Sequence, residues 1–388
     1  MHNFDLHLPT KMIFGKERLD QLPAELKPLG SKVLITYGGG SIVKSGLLDK
    51  VKKLLKEFTI FELSGIEPNP RITSVRKGVE ICRKEKIDVL LAIGGGSVLD
   101  CTKNIAAGAF YDGDPWDLVR DSSKVTRALP IADIITLAAT GSEYDTGGVI
   151  TNLETNEKMA IMHPLLSPVV SFCDPTLTFT VPARHTAAGA ADILNHTIEQ
   201  YFVKDGNILT DGFCEAMMRT VVTMTPIAMK EPDNYEARAQ LLMASSFGCC
   251  GLLAIGRSFG VWPCHAIEHE ISAYHDITHG VGLAILTPHW MRYSLNEETA
   301  PKFARYGVNV LGLAPSDDTM ALAQQAIDKT AEFFRSIGIP ARLSDVGVTD
   351  EHFEQMADHI PQCWWASLEE ALVPIDRNGV LTILRNSL

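Results

Sequence analysis

The stretch IDVLLAIGGGSVLD, residues 87–100, decides the fold of the amino-terminal half of the chain. It begins with a nearly continuous aliphatic run, as expected of a parallel strand that helices cover on both faces of the sheet. Three glycines and a serine follow, and we predict that a helix begins directly after them. The order of strand, glycine turn and helix predicts the β–α–β units of a parallel sheet.

Segments upstream repeat this order. The strand-like runs SKVLITYGGG (31–40) and TIFEL (59–63) alternate with the helix-like runs SGLLDKVKKLLKEF (45–58) and ITSVRKGVEICRKEK (72–86). The amino-terminal part is therefore predicted to be a Rossmann-like α/β domain with a parallel sheet.

The hydrophobic pattern of the sequence changes after the connector DPTLTFTVP (174–182). Long periodic segments follow, and three of them predict helices: AAGAADILNHTIEQYF, DGFCEAMMRTVVTMTPIAMK and NYEARAQLLMASSFGCCGLLAIG. Few strand-like runs interrupt this part. We therefore predict two domains, an α/β domain over residues 1–180 and an all-α domain over residues 181–388.

Composition restricts the classes of function and partner. The formal net charge of -12 disfavours nucleic acid, because its phosphates would be repelled. The start MHNFDLHLPTKMIFG lacks the apolar run of a signal peptide, and FGCCGLLAIG is too short to cross a bilayer. We expect a cytoplasmic protein with no membrane partner. The eight cysteines form no CxxC pair, which predicts reduced, mostly buried thiols, with Cys249 and Cys250 inside an apolar helix.

Two of the predicted strands end in glycine clusters, ITYGGGS at 35–41 and LAIGGGSVLD at 91–100. Glycine after a parallel strand allows backbone N–H groups to approach a phosphate, and the next helix N-terminus adds a favourable dipole. A G-x-G-x-x-G fingerprint is absent, and either loop alone is explained equally well as a tight turn. Two such loops in one α/β domain favour dinucleotide binding, with the second loop at the pyrophosphate.

The first loop also bears on the choice of cofactor. NAD-dependent dehydrogenases place a carboxylate here for the ribose 2′-hydroxyl, and residues 37–41 contain none. Small donors with the nearby Lys44 suit a 2′-phosphate, so the sequence favours NADP(H), with NAD(H) as the alternative. A third glycine turn, LAATGSEYD, carries Thr140 and Ser142, which either donate to phosphate or ribose or lie in an exposed turn.

Five of the twelve histidines fall within one short segment: His265, His269, His275, His279 and His289. Neutral imidazole is the commonest side-chain ligand for a transition metal, and several imidazoles that converge need an ion to compensate for their burial. This density predicts a metal site or a proton-transfer site.

Asp192 and His196 lie four residues apart and therefore share one helical face, which makes a half-site of one carboxylate and one imidazole. Two more ligands from the histidine cluster would complete a four-ligand shell. Spacing favours His265 with His269, and it leaves His265 with His279 open. A mixed oxygen and nitrogen shell suits Fe²⁺ or Zn²⁺.

Four other side chains lie in or near the histidine-rich segment, and the sequence predicts their roles less specifically. We expect His275 to be a solvated or hydrogen-bonded surface residue and His289 to be a packed or capping residue. Glu268 and Glu270 lie on other faces of the predicted helix, where they either support the ligands or face solvent.

The whole chain resembles the iron-containing, or group III, alcohol dehydrogenases, in particular their branch of NADP-linked butanol dehydrogenases and broad-range aldehyde reductases. The resemblance lies in the order and spacing of PTKMIFG, GIEPNP, GGGSVLD, TGSE, DPTLTFTVP, D-x-x-x-H at 192–196, and H-x-x-x-H followed by HG at 279. It implies a dinucleotide-binding domain, a helical metal-binding domain, an active site in the cleft between them, and a homodimer.

The resemblance also implies roles for individual residues. The implied metal ligands are Asp192, His196, His265 and His279. His269 then lies near the substrate as the candidate for proton transfer, and Asp100, the acidic position after the pyrophosphate loop, is a second catalytic candidate. The implied cofactor-binding residues are Gly38, Gly39, Ser41, Gly94, Gly95, Gly96, Ser97, Thr136, Thr140, Ser142 and Lys158.

We therefore expect a metal-dependent oxidoreductase that transfers a hydride between NADP(H) and a small alcohol or aldehyde, such as butanol and butanal. The apolar residues Val261, Trp262 and Leu283 suggest aliphatic substrates, unless they belong to the core. One alternative is a diol oxidoreductase similar to glycerol dehydrogenase. A cyclase similar to dehydroquinate synthase would need a basic cluster, for which Arg257 is the nearest candidate. A metal-stabilised dinucleotide sensor is the non-enzymatic alternative.

Overall fold

The computed structural model of the protein describes residues 1–388 and contains two compact units. The first unit is His7–Thr180. The second contains Val181–Leu388 together with Met1–Leu6. The first six residues therefore cluster with the carboxy-terminal unit, whereas the sequence-based domains placed them in the amino-terminal one. The backbone N–H of His2 donates to the carbonyl of Gly256 (3.0 Å), which ties this end to the carboxy-terminal unit.

The amino-terminal unit is built on a six-stranded sheet in the order β1-β8-β5-β4-β2-β3, and every pair in it is parallel. A separate antiparallel hairpin pairs β6 with β7. The strands are β1 (Lys11–Phe14), β2 (Lys32–Tyr37), β3 (Thr59–Leu63), β4 (Val89–Gly94), β5 (Ile131–Ile135), β6 (Gly147–Asn152), β7 (Glu157–Met162) and β8 (Val170–Cys173).

Six helices accompany this sheet: α1 (Leu22–Leu26), α2 (Ser41–Lys44), α3 (Leu47–Leu54), α4 (Ile72–Glu85), α5 (Gly96–Gly108) and α6 (Trp116–Arg120). The aliphatic run that precedes the second glycine loop forms β4, and all residues of β4 except Gly94 are buried. All of β5 is buried as well. Strands buried on both faces are typical of a parallel sheet with helical layers, and the predicted α/β class is confirmed.

The glycine loops lie where the winding of the sheet changes direction. From β2 the chain moves outward to β3, whereas from β4 it moves to β5 on the other side. Because β2 and β4 are neighbours, their carboxyl ends form a topological switch point, the usual place for ligands in an open α/β sheet. Both loops begin at this edge.

The carboxy-terminal unit contains nine α-helices and no strand: α7 (Ala183–Tyr201), α8 (Ile208–Lys230), α9 (Tyr235–Gly248), α10 (Pro263–His275), α11 (His279–Ser294), α12 (Ala300–Asn309), α13 (Thr319–Ser336), α14 (Phe353–Cys363) and α15 (Arg377–Ser387). The predicted all-α part is confirmed. Helix α7 is buried on all sides from Thr186 to Tyr201, so it is the core helix of this unit. No helix of the protein has the length and apolar character that a membrane crossing requires.

One predicted helix is too long. The segment 234–256 was expected to be helical throughout, but α9 ends at Gly248 and Gly251 adopts a left-handed conformation (φ 86°) that a helix does not continue. Cys249 and Cys250 therefore lie outside the helix and are partly exposed, contrary to the prediction of buried helical thiols.

Candidate metal and active site

Two left-handed residues define the helix that carries most of the histidine cluster. Trp262 (φ 53°) precedes α10, whose first residue is Pro263, a residue preferred at that position because it needs no hydrogen-bond partner for its nitrogen. Asp276 (φ 51°) ends α10, and the next helix begins only three residues later, at His279. This short reversal places the start of α11 beside α10. His279 is therefore a helical residue rather than part of a loop.

Four side chains converge at one point of the carboxy-terminal unit. Oδ1 of Asp192 lies 3.4 Å from Nε2 of His196, which is one turn further along α7. The same oxygen lies 3.9 Å from Nε2 of His265 and 3.7 Å from Nε2 of His279. Asp192, His196 and His265 are at most 5% exposed, and His279 is partly exposed.

This donor set fits a divalent transition metal. Ligand atoms about 2.0–2.1 Å from a tetrahedral ion are about 3.3 Å apart. The three imidazole nitrogens lie 3.4, 3.9 and 3.7 Å from the Asp192 oxygen. Burial holds the pKa of His196 well below its usual value, with a smaller contribution from His265, so its imidazole is neutral as a ligand must be. One carboxylate and three neutral imidazoles are the ligands that Fe²⁺ and Zn²⁺ accept.

Two buried glutamates orient the imidazoles. One oxygen of Glu199 contacts Nδ1 of His265, and its other oxygen accepts the N–H of Cys264 (2.6 Å). One oxygen of Glu268 contacts Nδ1 of His279 in the same way. Because each Nδ1 is engaged by a carboxylate, each Nε2 lone pair is directed at the point that Asp192 also faces.

Glu199 was not anticipated, although its spacing was available as a signal. It lies three residues after His196 and seven after Asp192, which is the same face of α7. Burial raises the pKa of the Glu199 carboxyl well above its usual value, and the hydrogen bonds from Cys264 and His265 oppose that rise. For Glu268 the sequence left open support of the ligands or exposure to solvent, and the residue is fully buried beside His279.

His269 lies beside the convergence point without sharing it. Its ring centroid is 5.6 Å from that of His279 and 6.5 Å from that of His265, and it is 5% exposed. The ring of Trp364 is perpendicular to that of His269, with ring centroids 5.2 Å apart. The imidazole is therefore held within reach of a group bound at the four-residue cluster.

Aromatic side chains border the imidazoles. The ring of Trp262 lies 4.9 Å from that of His265 and 5.5 Å from that of His196. Trp365 is 46% exposed, and its ring centroid lies 3.9 Å from that of Trp364 with the two planes tilted by 30°. We refer to Phe259, Trp262, Trp364 and Trp365 as the aromatic wall; only Trp262 was singled out from the sequence.

The second glycine loop is shaped by close packing. A side chain at Gly94 would place its Cβ 2.6 Å from Val98, and one at Gly96 would collide with Thr140. Glycine therefore allows β4 to turn directly into α5, whose first residue is Gly96 and whose second is Ser97. The N–H of Thr136 donates to the carbonyl of Gly94 (2.9 Å), so the loop after β5 lies at the same edge.

Asp100 is engaged by the loops around it. Its two carboxylate oxygens accept the hydroxyl of Ser142 (2.6 Å) and the N–H of Val149 (3.0 Å). The N–H of Ser142 donates to the hydroxyl oxygen of Thr140 (3.1 Å). Burial raises the pKa of Asp100 to about 6, although Lys103 and Ser142 lower it. The TGSE turn is buried at Ser142, so it is not an exposed turn.

The remaining predicted cofactor residues lie in the same unit. Gly38 and Gly39 follow β2, and Ser41 begins α2. Lys158 lies on β7, is 5% exposed, and donates to Oδ1 of Asn69 (3.1 Å). A buried lysine that the sequence did not single out, Lys103 of α5, donates to Oδ1 of Asp145 (2.5 Å) and to the carbonyl of Gly147 (2.7 Å).

The two peripheral histidines are partly buried. His275 is the last residue of α10, and burial lowers its pKa, with a further contribution from His352. His289 lies inside α11 rather than at its end, so it packs and does not cap.

Comparison with known proteins identifies the family. The model of iron-containing alcohol dehydrogenase matches residues 9–175, and the model of the carboxy-terminal part of the Fe-containing alcohol dehydrogenase family matches residues 186–388. The chain belongs to the iron-containing alcohol dehydrogenase family. The resemblance to the iron-containing alcohol dehydrogenases is confirmed, and so is the reaction class, a metal-dependent oxidoreductase that interconverts alcohols and aldehydes with a nicotinamide cofactor.

Individual relatives are similar over essentially their whole length. NADH-dependent butanol dehydrogenase A of Clostridium acetobutylicum is 51% identical, with 100% of both chains covered. The NADPH-dependent aldehyde reductase YqhD of Escherichia coli is 38% identical, with 90% of each chain covered. The crystal structure of NADH-dependent butanol dehydrogenase A from Thermotoga maritima is 37% identical and superposes with a TM-score of 0.93, covering 100% of this chain and 99% of that one.

Proposed function

We propose that this iron-containing alcohol dehydrogenase family member reduces small aliphatic aldehydes with NADPH, and that Asp192, His196, His265 and His279 hold its divalent metal. The observation that carries the proposal is the convergence of one Asp192 oxygen with three imidazole nitrogens. When bound, the metal supplies a Lewis acid for the carbonyl oxygen and the reduced nicotinamide supplies the hydride.

We assign proton delivery to His269. Reduction of an aldehyde leaves an alkoxide that requires a proton, and a general acid must lie close to that oxygen. His269 is buried beside His265 and His279, and Trp364 fixes the orientation of its ring. The imidazoles within 4 Å of the Asp192 oxygen are those of His196, His265 and His279, and His269 is the next imidazole beside them, with its ligand atom within 4.8 Å of those of Glu268 and His279.

The surroundings of the cluster favour an uncharged, apolar substrate. Trp262 of the aromatic wall lies against the imidazole of His265, Trp364 lies against that of His269, and neither presents a positive charge. Arg257, the nearest basic candidate for an anionic substrate, is already engaged: it pairs with Asp211 (2.9 Å) and donates to the carbonyl of Leu253 (2.7 Å). This arrangement supports an aldehyde reductase over a sugar-phosphate cyclase.

The proposed preference for NADPH rests on the first glycine loop. That loop presents no carboxylate to oppose a 2′-phosphate, and a Cβ at Gly39 would meet no atom within 4 Å. Both YqhD, which is named NADPH-dependent, and the butanol dehydrogenases, which are named NADH-dependent, are similar to this chain. Comparison of kcat/KM for NADPH and NADH at a fixed butanal concentration decides between them.

The Asp100 network is proposed to position the cofactor-binding loops rather than to act on substrate. Both carboxylate oxygens already accept hydrogen bonds, from Ser142 and from the backbone of Val149. The carboxyl thereby links the start of α5 to the TGSE turn and to β6. We also propose a homodimer, on the basis of the family resemblance, which sedimentation velocity of the purified protein tests.

The test of the proposed function is steady-state reduction of butanal by NADPH with a matched pair of variants. His269→Ala should lower kcat by roughly a hundredfold or more while metal content stays unchanged. His275→Ala, at the other end of the same helix, should retain activity. Equal activity of the His269→Ala variant and the parent protein at every pH would refute the assignment of His269.

A further inference from the structure

A second cluster of metal-ligand side chains lies between α10 and α14. Glu270 belongs to α10, and His359 and Cys363 lie four residues apart on one face of α14. Nδ1 of His359 lies 2.9 Å and 3.1 Å from the two oxygens of Glu270. The Cys363 thiol donates to one of those oxygens (3.2 Å). One ligand atom from each residue lies within 4.8 Å of the other two.

The carboxylate at the centre of this cluster is buried. Glu270 is 1% exposed, and its side chain contacts no lysine or arginine; its partners are His359 and Cys363 alone. A buried carboxylate requires a compensating positive charge, which either a protonated His359 or a bound cation supplies. Neither expected alternative for Glu270, support of the Asp192 cluster or exposure to solvent, matches this environment.

The three donors have the chemistry of a zinc ligand set. A thiolate, an imidazole and a carboxylate bind Zn²⁺ in a tetrahedral arrangement, and three protein ligands leave the fourth position to water. His359 and Cys363 are partly exposed, so an ion can enter from solvent. We propose that Glu270, His359 and Cys363 form a second divalent-metal site of the zinc class, separate from the Asp192 cluster. On binding, the Cys363 S–H bond breaks, its proton passes to solvent, and the sulfur bonds to the metal.

The position of the site connects it to the substrate region. Cys363 is the last residue of α14, and the next residue is Trp364, whose indole N–H donates to the carbonyl of Val261 (2.7 Å) and whose ring packs on His269. An ion that joins α14 to α10 therefore holds this part of the aromatic wall in place. The proposal itself rests on the ligand geometry and stands independently of the aldehyde and cofactor assignments.

Titration of the metal-free protein with Co²⁺ tests the proposal, because cobalt replaces zinc and reports a thiolate ligand by an intense charge-transfer absorption in the near ultraviolet. The Asp192 cluster contains no sulfur, so this absorption belongs to the second site alone. We expect two equivalents of Co²⁺ per chain, with the absorption present. The Cys363→Ser and His359→Ala variants should bind one equivalent, and the Cys363→Ser variant should lose the absorption.

The matched control is Cys250→Ser, which removes another partly exposed thiol of the same unit and should leave both equivalents and the absorption unchanged. Circular dichroism establishes that each variant is folded. The wild-type titration decides by itself if a variant fails to fold: one equivalent without charge-transfer absorption would overturn the proposal and leave only a hydrogen-bonded triad.

Discussion

Replacement of Glu199 by glutamine should weaken metal binding at the Asp192 cluster without removing any of its ligands. The two carboxylate oxygens of Glu199 accept two hydrogen bonds, from the Cys264 N–H and from Nδ1 of His265. A glutamine side chain keeps the size but has only one accepting oxygen. Whichever way its amide points, one of these two hydrogen bonds is lost.

The magnitude follows from the kind of bond that is lost. A hydrogen bond to a charged group contributes about 1.5–3 kcal/mol, and loss of a carboxylate that orients a ligating histidine lowers metal affinity by about 10- to 100-fold. We therefore expect the dissociation constant of Zn²⁺ at this cluster to rise by about 10- to 100-fold. Glu268→Gln should produce a similar rise, because Glu268 contacts His279 in the same way.

Competition with a chromophoric chelator measures the affinity, with the protein in its Cys363→Ser background so that a single site is titrated. Glu215→Gln is the matched control: Glu215 is also buried, but it accepts from Tyr201 (2.9 Å) and Asn309 (2.9 Å) and contacts no imidazole of the cluster. This variant should lose stability but not metal affinity. Unchanged affinity in both Glu199→Gln and Glu268→Gln would refute the orienting role of the glutamates.

Three further predictions concern single side chains. His265→Ala should lose the metal of the Asp192 cluster together with activity, since it removes a proposed ligand; metal analysis of the purified variant in the Cys363→Ser background measures this. Gly39→Asp should lower kcat/KM for NADPH by at least about tenfold and spare NADH, because the added carboxylate repels a 2′-phosphate; steady-state kinetics with each cofactor measures it. Burial raises the pKa of Asp100 from 3.8 to about 6, so its contribution to the free energy of unfolding is complete below pH 3.8 and is lost as the pH rises through about 6. Denaturant unfolding of the wild type and the Asp100→Asn variant at about pH 5 and about pH 8 measures this, and the wild type should lose stability relative to the variant at the higher pH.

A different result would contradict each of these three predictions. Full metal content in His265→Ala would exclude that histidine as a ligand. Gly39→Asn, which adds bulk without charge, should keep NADPH activity; an equal loss in Gly39→Asn and Gly39→Asp would mean that size rather than charge is responsible. A stability difference between the wild type and Asp100→Asn that does not change with pH would show that Asp100 does not titrate in this range.

The fold was predictable from the sequence because its signals are local. The aliphatic run before Gly94 and the carboxylate–imidazole pair Asp192 and His196 each depend on one strand or one helical face. The helix break after Gly248 was missed because the apolar residues continue past it, and periodicity alone does not register a left-handed glycine. The hairpin β6–β7 was also missed, because its short strands have no alternating apolar pattern.

The sequence alone did not determine which histidine joins His265 beside Asp192. Spacing favoured His269 as the partner of His265, because both lie on one helix. The left-handed Asp276 reverses the chain, and the nitrogen of His279 comes to 3.7 Å from Asp192. A contact of this kind depends on the packing of α7, α10 and α11, which no local pattern encodes. The cluster of Glu270, His359 and Cys363 could not be predicted for the same reason. Glu270 lies about ninety residues before His359 and Cys363 in the chain.

The central claim is that the ion held by the Asp192 cluster is required for reduction of an aldehyde by NADPH. The most direct measurement is the loss of reduced nicotinamide absorbance with butanal, before chelation, after chelation, and after Fe²⁺ or Zn²⁺ is restored. We predict that turnover disappears with the metal and returns with one of the two ions, in the wild type and in Cys363→Ser alike. Turnover that persists in metal-free protein, or its absence with metal and cofactor demonstrably bound, would contradict the account.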